Sequence, residues 1–260
     1  MTYELASNAG LLVALSLLYG VLTRRLGLDH PLRPVAVGVL FGGVALLGMA
    51  VMTVELVPGV VFDARSVVLS MAGFAGGLPA ALVAVGITAP VRAWQGGAGL
   101  VPGLGTIVSA ALLGWGYHAL RRRRPDLTGL AHLWGFGLLV HGVVVSWMLV
   151  LPPPLQQRVL SEIAPAFLLV FPLGNLLLGR LILDEEERET GGRELRRQER
   201  RYRSLVERLP DIVYRYSLRD GGLYWSPGVE AVLGYPPERV RTTPDLWPDA
   251  VDPEDAPRAE

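Results

Sequence analysis

The chain has 260 residues, 51% of them hydrophobic and 18% charged, with 24 Lys and Arg set against 24 Asp and Glu. It has no cysteine, which excludes disulfides, thiolate metal sites and a cysteine nucleophile. The zero net charge averages two unlike regions. Long apolar runs fill Leu5 to Leu183, and a polar, charged stretch follows from Asp184 to Glu260, so a membrane-embedded part precedes a soluble one.

Six apolar stretches follow in chain order: Leu5–Thr23, Pro34–Val54, Ser66–Pro90, Val101–Leu120, Leu130–Leu151 and Ile163–Leu183. Each is near the ~20 residues that a ~30 Å hydrocarbon core requires. The first reads as a span and not as a cleaved signal, because Glu4 is the only charge before Arg24 and no small-x-small site precedes it. Basic residues favour the cytoplasmic side. The markers are Arg24, Arg25 and Arg33 after the first stretch, Arg121 to Arg124 after the fourth, and the charged tail after the sixth. Markers on one side need an even number of crossings between them. Two stretches separate Arg124 from Asp184, which fits; three separate Arg33 from Arg121, which does not.

The third stretch explains the odd count. Its halves, Ser66–Gly76 and Leu78–Pro90, are each ~16–20 Å long as helix, about half a bilayer. Gly76, Gly77 and Pro79 supply a break between them. A re-entrant hairpin is permitted at membrane depth where protein buries its backbone. Two readings stand: five spans plus a re-entrant hairpin with the N-terminus outside, or six plain spans with the N-terminus inside. Arg65 and Arg92 flank this stretch. A straight helix would hold them ~40 Å apart. A hairpin would return both to the outer face, where two guanidiniums suit a shared carboxylate. The alternative for both is a snorkelling, helix-anchoring role.

Other residues carry weaker signals. Gly73 with Gly77, and Gly38 with Gly42, have the small-x-x-x-small spacing of helix packing. Trp134 and Trp147 fit an interfacial aromatic belt, and His118 and His132 lie near the basic cluster. His141 and Asn175 are polar groups inside apolar stretches, and each serves either as an interior packing contact or as part of a site.

The motifs in order are Asp63-Ala64-Arg65, the break AGFAGGLP, Arg92 shortly before Gly96-Gly97, and FPLGN with Asn175 in the last stretch. Together they resemble the LytS/YhcK-type five-transmembrane receptor family, 5TMR-LYT, over roughly Leu5 to Leu183. The resemblance implies a membrane input module of a sensor kinase or diguanylate cyclase. Some members sense small carboxylates such as pyruvate. It further implies that Arg65 and Arg92 hold the carboxylate, with Thr106 and the Gly103 backbone completing the pocket. Asp63 stands where Asn is usual; an acid there either pairs with Arg65 and weakens anion binding or tunes it.

Asp184–Arg208 interleaves equal numbers of acidic and basic residues, which reads as a solvated helix and not as a nucleic-acid tail. Gly191-Gly192 is expected to interrupt it. Leu195, Tyr202 and Leu209 recur every seven residues with Leu205 between them, which suits either a signalling helix paired across a homodimer or a plain connecting helix. From Tyr202 the sequence resembles the start of a PAS domain: a strand at Ile212–Ser217, a turn at Asp220-Gly221-Gly222, a strand at Leu223–Ser226, and a short helix from Val229 to Leu233 closed by Gly234. The second half of such a domain is expected beyond Glu260. PAS pockets hold haem, flavin or nothing, and these residues do not choose among them.

The predicted architecture is an α-helical polytopic membrane bundle (residues 1–183), a charged linker helix (184–208) and the N-terminal part of an α/β PAS domain (209–260). There is no phosphate-binding glycine loop between a strand and a helix, and all four histidines (His30, His118, His132 and His141) precede the linker, so any catalytic output is expected beyond these residues. The expected function is signal input in a bacterial inner-membrane sensor with a cytoplasmic C-terminus. Its partners are a small anionic ligand, the lipid bilayer and a second copy of the chain, with no cofactor in the membrane part. The competing classes are a small-solute transporter and a plain anchor that leaves sensing to the PAS domain.

Overall fold

The structure, a computed structural model, describes residues 2–51, 54–57, 60–62, 64–162, 164–208, 212–216 and 223–242. Asp63, Ile163, Leu209 and the Asp220-Gly221-Gly222 turn lie outside the described residues. Two compact units divide the chain, Met1–Thr190 and Gly191–Glu260.

The first unit is a helical bundle. Helices α1 (Thr2–Leu26) and α2 (Arg33–Val51) are followed by a short antiparallel pair, β1 (Val54–Val57) and β2 (Val60–Phe62). Then come α3 (Arg65–Gln95), α4 (Leu100–Arg123), α5 (Leu130–Trp147), α6 (Pro153–Glu162), α7 (Ala164–Leu169) and α8 (Phe171–Arg208), of which the first unit holds the part up to Thr190. Among the described residues, five helical segments are long and apolar enough to cross a membrane: Arg33–Ala50, Arg65–Gln95, Leu100–Arg123, Leu130–Val150 and Phe167–Val206.

Length and composition count α3 as one span, but its backbone is folded. Gly77 has φ 68° and ψ −158°, a conformation open essentially to glycine alone. Gly96, which ends α3, adopts nearly the same angles, φ 63° and ψ −148°. Each marks a reversal. The packing along α4 shows the first: Gly73 lies against the backbone of Ala111 and Trp115, Gly77 against the His118 ring, and Arg92 against Gly103. Because α4 is unbroken from Leu100 to Arg123, the chain advances along it from Arg65 to Gly77 and then returns. We call Arg65–Gly76 arm one and Leu78–Gln95 arm two; they are ~18 and ~27 Å long, and arm one is too short for a full span. Pro79 sits in the first turn of arm two, where a missing N–H costs least.

Small residues set how closely the hairpin packs. A Cβ on Gly114 would meet the Ser70 carbonyl, so arm one and α4 touch backbone to backbone. Gly38 and Gly42 press α2 against Ala80, Val83, Ala84 and Ile87 of arm two. The Gly38–Gly42 pair is thus a packing motif as predicted. Of the other pair, only Gly73 packs in that way, while Gly77 is the break. Phe41, Val67, Leu69, Met71, Phe74 and Ile107 fill the core around the hairpin, all almost fully buried. Gly114→Ala is expected to lower stability by ~1–3 kcal/mol through overpacking, read as a fall in thermal unfolding temperature in detergent. Gly116→Ala, on the same helix with open space at its Cα, should leave it unchanged.

Three expectations need correction. The second stretch ends as a helix at Val51, and Val54 begins β1. The sixth is not one helix: α7 ends at Leu169 and α8 begins at Phe171, because Pro172 cannot donate a helical hydrogen bond. Gly191-Gly192 does not interrupt the charged segment; α8 continues through it to Arg208, and i,i+4 pairs such as Arg203–Glu199 (3.1 Å) support the helix beyond.

In the second unit β3 (Tyr214–Tyr216) pairs antiparallel with β4 (Leu223–Trp225), followed by α9 (Gly228–Leu233) and α10 (Pro237–Thr242). Gly234 closes α9 in the left-handed conformation, its N–H donating to the Glu230 carbonyl. Trp225, Val229 and Val240 form a small core. The strand–strand–helix order and the Gly234 stop match the sequence reading. A two-stranded sheet with two short helices does not by itself identify a PAS domain.

Candidate functional site

The reversal at Gly77 gives the hairpin an open end and a closed end. At the open end, Arg65 begins arm one and Arg92 lies in the last turn of arm two; both are buried, at 7% and 3% exposure. Arg92 Nη1 donates to the Gly96 carbonyl (2.8 Å), which ties its guanidinium to the turn into α4. Its side chain crosses α4 at Gly103, where any Cβ would collide with it. Thr106, one turn further on the same face of α4, is buried, and its Oγ1 has no hydrogen-bond partner among the described residues. Trp147 lies on Gly105 and donates from Nε1 to Ser109 Oγ (3.2 Å), walling this end of α4 instead of serving only as a belt residue. Of the residues expected to bind the ligand, Arg92, Gly103 and Thr106 thus lie at the open end, beside the Gly96-Gly97 turn expected to shape the hairpin; Arg65 begins arm one at that same end, and Asp63 is outside the described residues. Gly76, Gly77 and Pro79 form the closed end.

His141 and Asn175 meet arm one from α5 and α8. His141 Nδ1 donates to the Gly137 carbonyl (2.8 Å), so in the neutral ring Nε2 accepts from the Ser66 hydroxyl at 3.1 Å. Asn175 Nδ2 donates to Ser70 Oγ (2.9 Å), and its buried Oδ1 has no partner among the described residues. Ser66 and Ser70, four residues apart on one face of arm one, join these groups into a buried polar line. The sequence reading missed both serines, although their i,i+4 spacing in an apolar run was a visible signal.

The family "5TMR of 5TMR-LYT" has a model that matches residues 18–185, most of the first unit. The chain belongs to the 5TMR-LYT family. No curated protein and no solved structure gives a match. As a 5TMR-LYT protein it is a multi-pass membrane protein whose family is a membrane sensor-input module.

The closed end of this 5TMR-LYT bundle holds the contacts that sequence reasoning missed most. The last carbonyls of a helix lack donors from the following turn. Phe74, three residues before Gly77, takes donors from α4: His118 Nδ1 at 2.7 Å and Arg121 Nη2 at 3.1 Å. The Arg121 guanidinium also stacks on the Phe74 ring, 4.4 Å from its centroid. Arg121 Nη1 reaches Glu186 Oε2 at 2.8 Å. Glu186 Oε1 accepts from the Tyr19 hydroxyl (2.8 Å) and from Arg33 Nη2 (3.1 Å), and Arg33 also donates to Tyr19 Oη. One carboxylate on α8 thus links α1, α2, α4 and, through Arg121, the tip of arm one. The sequence reading took Arg33 and Arg121 as topology markers and Glu186 as one linker charge among many. His118, expected to be interfacial, instead caps arm one.

Glu186→Gln leaves two guanidiniums facing a neutral group. Breaking a fully buried pair from one side typically costs ~3–5 kcal/mol, and the partial exposure of Arg121 and Glu186 puts this loss toward the lower end of that range. The expected result is a large loss of stability for Glu186→Gln, with a second substitution, Arg121→Gln, adding much less than it costs alone. A double-mutant cycle by denaturation in detergent measures this; additive losses would show that the two side chains do not act together.

Proposed function

We propose that the 5TMR-LYT unit binds a small carboxylate at the open end of the hairpin and passes its occupancy through the closed end to α8. The observation that carries this is the reversal at Gly77. It returns Arg92 to the end of the hairpin at which Arg65 begins, both buried, and two buried cations at one end of a membrane bundle favour an anion between them. Thr106 Oγ1 supplies an unused hydroxyl beside Arg92, and Gly103 supplies backbone that a side chain would block. Asp63, two residues before Arg65, is the position at which an acid tunes the anion's affinity.

The route to the output follows from rigid parts. Arm one is packed backbone to backbone on α4, so a shift at Arg65 moves Phe74 and its Arg121 partner together. Arg121 holds Glu186, and α8 continues from there to Arg208. Leu195, Tyr202 and Leu205 on α8 are exposed (68%, 70% and 60%) at heptad-like spacing, which supports pairing with a second copy of the chain. In this reading the unit sits in a bacterial inner membrane with its C-terminus cytoplasmic. Residues 209–260 are the start of a PAS domain, and the output beyond it is most simply a histidine kinase of a two-component system.

The test is equilibrium binding of radiolabelled pyruvate to the purified chain in nanodiscs. Saturable binding, displaced by acetate or lactate and not by a neutral analogue, is expected. No binding of any of these carboxylates would overturn the reading, and pyruvate accumulation by sealed vesicles carrying the chain would replace it with transport.

A further inference from the structure

We infer that the cleft at the closed end of the hairpin is a second anion site, built for a phosphate group carried by a lipid headgroup or free in solution. The cleft, about 580 Å³, is lined by Arg33, Arg122, Arg123, His118, Trp115 and the Gly76–Pro79 turn, and no acidic side chain lines it. It lies at the opposite end of the hairpin from Arg92 and Gly103, so it stands or falls independently of the carboxylate site.

Four features converge there. Arm two begins at Leu78 and α2 begins at Arg33, so two helix N-termini with their partial positive charge face one cavity. Arg33 is 7% exposed. Its Nη2 serves Tyr19 and Glu186, but its Nε has no hydrogen-bond partner among the described residues. Arg121 is consumed by Glu186 and Phe74, whereas its neighbours Arg122 and Arg123 are exposed and make no salt bridge with any described residue. Trp115, 39% exposed, stands beside them, and a tryptophan next to arginines suits the headgroup level of a bilayer. A phosphate group fits this set better than a carboxylate does: it offers more acceptor oxygens, enough for two guanidiniums and a helix N-terminus together.

Occupancy of the cleft would bear directly on the hairpin tip, since Gly77 and His118 belong to its wall and His118 also holds the Phe74 carbonyl. The site would thus set how firmly the tip is held while the open end responds to its own ligand.

The experiment uses the full chain and a double variant, Arg122→Ala with Arg123→Ala, which leaves Glu186 and its partners intact. Native mass spectrometry of protein released from mixed phosphatidylcholine and phosphatidylglycerol nanodiscs counts retained phosphatidylglycerol. In parallel, inorganic phosphate is titrated into the chain in pure phosphatidylcholine nanodiscs, with Trp115 fluorescence as readout and Trp115→Phe as reference. Selective retention of phosphatidylglycerol by the wild type, reduced roughly 30-fold in the double variant, assigns a lipid headgroup. Saturable phosphate binding lost in the double variant assigns free phosphate. Binding of neither probe by the wild type, or equal binding by wild type and variant, overturns the inference. Should the alanine pair fail to fold, glutamine at both positions keeps side-chain length and serves the same comparison.

Discussion

Arg92→Ala is expected to weaken pyruvate binding by about 100-fold while leaving the chain folded. Removing one member of a buried, hydrogen-bonded charge pair costs ~2–5 kcal/mol, and each 1.4 kcal/mol is about tenfold in affinity. Arg92 is held in place for this role by the Gly96 carbonyl and by the absence of a side chain at Gly103. Gly103→Ala should therefore reproduce much of the loss without touching a charge, by pushing the guanidinium off its seat. Arg65→Lys is a further discriminator. It keeps the charge but not the planar fork, so a bidentate carboxylate contact predicts a clear loss and a simple charge role predicts little. Binding unchanged in Arg65→Ala and in Arg92→Ala would leave both arginines as helix anchors and remove the basis for a carboxylate site.

The second large effect is expected at Gly77. A Cβ there would meet the His118 ring only at 3.4 Å, an ordinary contact, so space is not the obstacle. Backbone conformation is. At φ 68° and ψ −158° a side chain imposes a cost of ~1–3 kcal/mol, greater for a β-branched residue. Relief of that strain would require arm one to run on into arm two, which would carry Arg92 away from Gly103 and Gly38 away from Ala80. Gly77→Val is therefore expected to lower thermal stability by several degrees or prevent folding, and to abolish pyruvate binding in whatever protein remains. Gly86→Val, in the middle of arm two with open space around its Cα, is the control for a β-branched residue in the same helix. Equal stability and equal binding for Gly77→Val and wild type would mean that the reversal is not a requirement of the fold.

The break was legible because it is local. Gly76-Gly77 followed by Pro79 states where a helix must stop, and the count of basic loops states that either one stretch does not cross or one basic marker lies outside. The grouping of Arg92, Gly103 and Thr106 was legible only through the family resemblance; their spacing in the sequence does not place a glycine under an arginine. Glu186 was not legible, because its partners come from α1, α2 and α4 and nothing within the charged run marks it off from Glu185 or Glu187. The β1–β2 pair had a signal that went unused, Pro58-Gly59 between valine-rich runs, but the apolar run of the second stretch extended over Val54. The split between α7 and α8 was hidden for a related reason: hydropathy continues through Pro172, although helical hydrogen bonding does not.

The proposed carboxylate site requires α3 to be a hairpin whose ends lie on one side of the membrane. The chain has no cysteine, so single engineered cysteines report without background. Val61→Cys precedes arm one in β2, Trp94→Cys follows Arg92 at a site 88% exposed, and Arg122→Cys marks the far end of α4. Labelling intact cells with a membrane-impermeant maleimide is the most direct measurement. The hairpin predicts that the cysteines at positions 61 and 94 react from outside together while that at position 122 reacts only after permeabilisation. Reaction of the cysteines at 61 and 94 from opposite sides would show α3 crossing the membrane, and would separate the two arginines that the proposed site requires to be together.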